Sequence, residues 1–189
     1  MNLVSSDSQC TLCPTRSVCT ARDLDEAQLP LLSSKIDTSA VLQKNDYLYR
    51  HGDHTDSCYV VRSGVFKNVV VTALGEEYVT GFHYPGELIG FSAKVDGEHP
   101  DSAVALTAST ACRIAFSEFD GLFSFGAGSS LLRLIAERED NDRNLEINLR
   151  QSRAEARIAG FFVLLMRRLK RLGYDTTSLP LPMSRTDLA

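Results

Sequence analysis

Apolar residues change texture twice along this chain. From about Val41 to Phe116 they come in short groups: Tyr47-Leu48-Tyr49, Cys58-Tyr59-Val60-Val61, Val65-Phe66, Val69-Val70-Val71, Tyr78-Val79, Leu88-Ile89-Gly90-Phe91, Ala103-Val104-Ala105-Leu106 and Ile114-Ala115-Phe116. Turn residues separate them: His51-Gly52-Asp53, Arg62-Ser63-Gly64, Leu74-Gly75-Glu76, Tyr84-Pro85-Gly86 and Asp96-Gly97. Short valine- and tyrosine-rich runs at this spacing predict a double-sheet jelly roll or a small barrel, and no helical period competes with them.

Helical patterns flank that region. Asp23-Leu24-Asp25-Glu26 has the D-x-x-E form of a capping box and predicts a short helix, which Pro30 limits or kinks. Residues 33–40 read as a polar connector. Ser117, with Asp120 three residues on, predicts a helix N-cap. From Ser130 to about Gly173 there is no proline, and the only interior glycine is Gly160, which predicts one long helix or two abutting ones.

Within that stretch Leu131, Leu134, Ile135, Leu145, Leu149, Ser152 and Ala156 form a partial heptad seam, the mark of a helix that pairs with a copy of itself. The seam is interrupted. From Glu137 to Asn144 every residue is charged or an amide. Helical spacing alone reads this as solvated surface; the sharper reading is a dimer interface with a weak middle, where acids face their symmetry mates and a small push decides between monomer and dimer. An apolar run, Ile158 to Met166, follows, and Ser184 with Asp187 predicts the cap of a further helix.

Length and composition narrow the class. At 189 residues and 43% apolar, the chain can bury a core and fits one domain plus an appendage. No stretch approaches 18 consecutive apolar residues and residues 1–9 lack a secretory pattern, so the expectation is a cytoplasmic protein that does not span a membrane. The net charge of −4 hides a basic stretch, with Arg150, Arg153, Arg157, Arg167, Arg168, Lys170 and Arg171 against the single acid Glu155. Such stretches are usually solvated faces; this one is weak evidence for nucleic acid.

The candidate chemistry lies in the cysteines. Cys10, Cys13 and Cys19 have the spacing C-x2-C-x5-C, and Cys112 lies on the last predicted strand. In a reducing compartment thiols point to metal binding or redox sensing before disulfides. Four thiolates suit a tetrahedral zinc or an iron–sulfur cluster, and the residues by themselves leave both open. Arg16 and Arg113, close in sequence to these cysteines, are candidates to offset thiolate charge. Cys58, inside a strand, reads as a core residue and is left out of the site. His51, His54, His83 and His99 are scattered over turns and strands, no nucleophile–base pattern stands out, and an enzyme is not expected.

The pattern as a whole resembles the oxygen-sensing branch of the cyclic-AMP-receptor-like transcription regulators, the fumarate and nitrate reduction regulators. The resemblance runs the length of the chain. It rests on the Cys10/Cys13/Cys19 spacing, Tyr59-Val60-Val61-Arg62-Ser63-Gly64, Gly75-Glu76-Glu77, Thr80-Gly81-Phe82-His83, Pro85-Gly86-Glu87-Leu88-Ile89-Gly90-Phe91, Cys112, and Met183 to Ala189 as the start of a helix-turn-helix. It implies an α+β protein: a cysteine-rich segment at 1–22, a β-roll sensory domain at 23–129, a dimerisation helix at 130–157 and, at 158–189, the start of a winged helix without its recognition helix. It also implies a [4Fe-4S] cluster on Cys10, Cys13, Cys19 and Cys112, a homodimer through the helix from Ser130, and DNA binding in a full-length form only. RNA polymerase is a further implied partner, with the turn at Leu74 to Glu77 as candidate surface. The cyclic-nucleotide branch grips its ligand's phosphate with an Arg-Ser pair; here Asp101 precedes Ser102, and an acid repels phosphate. Cyclic nucleotide is therefore not expected. The alternative of another class is a β-roll interaction module with a structural four-cysteine zinc.

Overall fold

The computed structural model describes residues 10–177 and 181–188; the readings of residues 1–9 and of Ala189 fall outside them. Eight strands form two four-stranded antiparallel sheets. One has the order β1 (Ile36–Thr38), β8 (Thr110–Ala115), β3 (Ser57–Ser63), β6 (Leu88–Ile89). The other has β2 (Tyr47–Tyr49), β7 (Ser102–Ala105), β4 (Phe66–Val71), β5 (Glu77–His83). The fold is α+β, a β-roll followed by helices, as the apolar texture predicts.

Side-chain alternation along a strand sorts the roll into two cores. On β3, Tyr59 and Val61 point between the sheets, where Leu48, Tyr49, Phe66, Ile89, Ala103, Ala105 and Ala111 meet them. Cys58 and Val60 point the other way. They join Ile114 and Leu88 under an outer layer made of the cysteine segment, α1 (Leu29–Ser33), α3 (Phe119–Ser124) and the first turns of α4 (Ala127–Leu149). A third cluster packs Val65, Phe82, Tyr84 and Leu106 against Leu165 and Leu169 of α5 (Ala154–Arg171) and against Met183.

Several local expectations need correction. The capping box lies two residues later than predicted: Asp25 Oδ1 accepts the N–H groups of Ala27 and Gln28, and Gln28 Oε1 accepts that of Asp25, each at 2.9 Å. Pro30 sits in the first turn of α1, where its missing N–H costs nothing. The supposed connector at 33–40 contains β1, which is too short to show a period of its own and exists because β8 pairs with it. Ser117 makes no cap; a 3-10 turn, Phe116–Glu118, leads into α3 instead. A further one-turn helix, α2 (Ala93–Asp96), follows β6.

The long helical region is two helices. α4 starts at Ala127, ends at Leu149, and α5 turns back on it from Ala154. No glycine or proline marks the break. Tertiary contacts hold it: Asn148, buried, donates from Nδ2 to Arg157 O at 2.8 Å. Its side chain occupies space that only a glycine leaves open, since a Cβ at Gly160 would lie 1.8 Å from Asn148 Oδ1. The predicted seam therefore does not run along one helix. Leu131 and Leu134 are spent on the protein's own roll, while Leu149, Ser152 and Ala156 are exposed around the turn. Nor are the seam's acids unpaired. Arg133 pairs with Glu137, Arg138 with Asp142, Arg143 with Glu139, and Arg171 with Asp140.

α5 is pinned to the roll as well as packed on it. Arg168 donates to both carboxylate oxygens of Glu87 and to Phe82 O. Farther on, Ser184 and Asp187 form the predicted cap: Asp187 N–H donates to Ser184 Oγ at 3.1 Å and Ser184 N–H to Asp187 Oδ2 at 2.7 Å. The same aspartate meets Lys67 Nζ at 2.7 Å, so the 3-10 turn Thr186–Leu188 is docked on β4.

Candidate metal centre

The cysteine segment is a chain of turns rather than an element with its own period. Cys13 N–H donates to Cys10 O at 3.4 Å, Arg16 N–H to Cys13 O at 3.1 Å, and Arg22 N–H to Cys19 O at 3.2 Å, with the 3-10 turn Arg16–Val18 between. The segment lies over the outer face of the β1-β8-β3-β6 sheet, where Cys10, Cys19, Ala21 and Leu24 are buried. It also abuts the turn before β6: a Cβ on Gly86, which has φ +97°, would sit 2.6 Å from Val18 Cγ2.

Cys112 comes from the last strand of the β-roll to the same place. On β8 it pairs with Thr38 of β1 on one side and Val60 of β3 on the other. Cys10, Cys13, Cys19 and Cys112 all line one small cavity of about 20 Å³, with Thr15, Thr20, Ala21, Leu32, Ile36, Val60, Val61, Arg62 and Ile114. That is room for about one water. Cys58 is fully buried and lies on the same sheet but does not line this cavity; its thiol approaches Ile114 O at 3.9 Å.

Burial dominates the thiol chemistry. It pushes Cys19 up to about 11 and Cys112 to about 12, and raises Cys10 as well. Neighbours act in the other direction: Ala21 N–H points at Cys19 Sγ at 3.4 Å, and the Arg62 charge favours the thiolates of Cys10 and Cys112. Cys13 Sγ shares a hydrogen bond with Thr15 Oγ1 at 3.0 Å, and Thr38 Oγ1 stands 4.0 Å from Cys112 Sγ. Neutral buried thiols must release protons to any metal, so loading here is a proton-coupled event.

As for fit, the donor set is four sulfurs converging from two parts of the chain. Among the described residues, no group of three or more His, Cys, Asp or Glu side chains is arranged to hold a metal ion. The sulfurs ring a common space without converging on one point. The donor chemistry fits a thiolate-bound group, and the compact cavity requires the turns bearing Cys10, Cys13 and Cys19 to stand farther from β8 to admit one.

The two arginines expected near the thiolates do different work. Arg16 donates to Leu24 O at 2.9 Å, which braces the segment, and its charge also favours the thiolate of Cys10, as expected. Arg113, next to Cys112 in sequence, lies on the opposite face of β8 and pairs with Asp56 at 2.6 Å and Asp37 at 3.8 Å. Arg62, which Arg62-Ser63-Gly64 marks in the sequence only as a turn residue, lies on β3 and lines the cavity. Its signal was strand parity, since Arg62 shares the face of Val60, the partner of Cys112; that pairing is not visible without the sheet.

The site is joined directly to α4. Ser130 Oγ donates to Asp23 Oδ2 at 2.7 Å, Arg133 Nη2 to Cys19 O at 3.4 Å, and Leu131 and Leu134 share a core with Cys10 and Cys19. Asp101, the acid at the position of the cyclic-nucleotide branch's arginine, is buried, accepting from Tyr49 Oη at 3.2 Å and Asn68 Nδ2 at 2.5 Å. Beside it His99 stacks on Tyr49 with ring centroids 3.6 Å apart. Among the described residues no helix is long and apolar enough to cross a membrane.

Comparison with known proteins agrees with this architecture. Residues 40–124 match the cyclic nucleotide-binding domain family. Over 181 residues the chain is 33% identical to the fumarate and nitrate reduction regulatory protein of Escherichia coli strain K12, covering 95% of this chain and 72% of that one. It is likewise 33% identical over 181 residues to the anaerobic regulatory protein of Pasteurella multocida, covering 66% of that protein. Among solved structures it is similar in fold to FixK2 from Bradyrhizobium japonicum, with TM-score 0.66 at 20% identity over 79% of this chain and 73% of that one. The Thermus thermophilus catabolite activator protein gives 0.56 at 22% identity over 69% and 62%. With a β-roll, helices after it and this identity over nearly its whole length, the chain belongs to the fumarate and nitrate reduction regulators, which are transcription regulators and not enzymes.

Proposed function

We propose that this protein is an oxygen-responsive transcription regulator in which an iron–sulfur centre on Cys10, Cys13, Cys19 and Cys112 controls homodimerisation and, through it, DNA binding in the full-length form. The observation that carries the reading is that these four thiols share one cavity whose wall continues into the first turns of α4. When bound, a [4Fe-4S] group supplies an oxygen-labile cross-link between the N-terminal turns and β8.

The chain's own residues transmit the state of that cross-link. Cys19 O is held by Arg133 and Asp23 is held by Ser130, so a shift of the cysteine turns acts on the start of α4. The side of α4 that carries Leu132 and Ile147 is exposed and available to a second copy. Dimerisation would then set two DNA-reading segments at half-sites about one helical turn apart. The β4–β5 turn, where Leu74 is 87% exposed, is the proposed contact for RNA polymerase. A cyclic nucleotide is not part of this reading: Asp101 is committed to Tyr49 and Asn68, and the Tyr49–His99 stack fills the roll beside it.

Anaerobic reconstitution with iron and sulfide tests the reading. Broad visible absorbance that air bleaches is expected, with iron lost in Cys112→Ala and kept in Cys58→Ala. A colourless protein holding one tightly bound zinc would overturn it in favour of a structural metal.

A further inference from the structure

We propose that Arg62 is a positioning residue for the metal centre, whose uncompensated charge sets how easily the thiolate-bound group loses an electron to dioxygen. The inference rests on the cysteine reading above and adds to it a residue outside the ligand set. Three observations support it.

Arg62 is the only charged side chain among the described residues that line the cavity of the four thiols. Among the described residues no carboxylate pairs with it, whereas Arg113 is neutralised by Asp56 and Asp37. Its guanidinium is also oriented, because Nη1 donates to Thr38 Oγ1 at 3.2 Å and that oxygen stands 4.0 Å from Cys112 Sγ.

Four thiolates leave an iron–sulfur group net negative. A nearby cation in a partly buried site favours that more negative, reduced state, and groups of this kind around a metal commonly change affinity or activity by roughly 10–100-fold. Removing the cation should therefore ease oxidation.

The experiment compares wild type, Arg62→Lys and Arg62→Leu after anaerobic reconstitution, reading iron content, midpoint potential and the lifetime of visible absorbance in air. The expected result is full iron in all three, a lower potential in Arg62→Leu, absorbance lost roughly tenfold faster, and Arg62→Lys close to wild type. Identical lifetimes and potentials in wild type and Arg62→Leu would overturn the proposal, as would equal losses in the lysine and leucine variants. If wild type takes up no iron, the cysteine reading fails and this proposal with it, whereas full iron with unchanged potential and lifetime overturns this proposal alone.

Discussion

The two ends of α4 are held by different forces. At residues 127–134 the helix is part of the core: Ala127, Leu131 and Leu134 are at most 2% exposed and pack with Cys19, Ala21 and Leu24 of the cysteine segment. At residues 145–149 the apolar side chains Ile147 and Leu149 are more than half exposed, and the contacts are polar. Asn148 clasps Arg157 O, and α5 beyond it is anchored through Arg168 and Glu87. Apolar burial is insensitive to direction and pH, whereas ion pairs and amide clasps depend on geometry and protonation. The first end is thus suited to receive a push from the metal centre, and the second to change partners.

A large effect is expected at the polar end. Arg168→Ala leaves the half-buried Glu87 without its ion-pair partner and should cost about 3 kcal/mol in urea unfolding; a loss below about 1 kcal/mol would mean that α5 is held by its apolar face alone. At the other end, Leu131→Ala should cost about 2–5 kcal/mol, while Leu149→Ala should stay within about 0.5 kcal/mol. Equal losses for the two leucines would erase the comparison.

Opposite pH limits should separate the faces next. Burial pushes Asp187 up, but Lys67 and Ser184 outweigh it and hold its carboxyl below the ordinary 3.8. A depressed carboxyl stabilises the fold above its unfolded value and ceases to do so as pH falls. Acid below about pH 4 should therefore release the 184–188 turn from β4 first, visible as faster amide exchange at Ser184 and Asp187. On the cysteine face, burial raises Cys58 from 9.0 to about 12. Its contribution is complete below pH 9 and lost as pH rises towards 12, so alkali should weaken this sheet, and Cys58→Ala should blunt that loss.

A small effect on stability is also expected in the middle of α4. Asp142 is 60% exposed and paired with Arg138 at 3.2 Å, so Asp142→Ala should change stability by no more than about 1 kcal/mol. It should nonetheless raise the dimer fraction in air, read by sedimentation, because it lowers the acidic charge in the middle of α4. An unchanged dimer fraction would discard the charged middle as a control on association.

The β-roll was readable from sequence because strand alternation and turn residues are local signals. Every predicted apolar group from Tyr47 to Ile114 lies on or beside an observed strand, whereas β1 was missed because three residues carry no period. The cysteine spacing was equally local, but the place of the arginines was not: adjacency in sequence favoured Arg113, and strand parity placed it on the far side of the sheet. The seam on α4 and α5 misled for a related reason. Heptad spacing states which residues share a helix face, but not whether that face meets a second copy or the chain's own roll, as Leu131 and Leu134 do.

By itself, then, the sequence determined the element types over the roll, the four candidate ligands and the absence of an enzyme's nucleophile pattern, since all of these are written in spacing and residue chemistry. The tertiary structure decided which face of each element is used. It brought Cys112 to the N-terminal thiols, set Arg62 beside them, committed Asp101 to the core, and broke the helix at residues 150–153, where no glycine or proline stands. The reason is that register, pairing and burial are relations between distant segments, and a side chain's role follows from what the other segment brings to it.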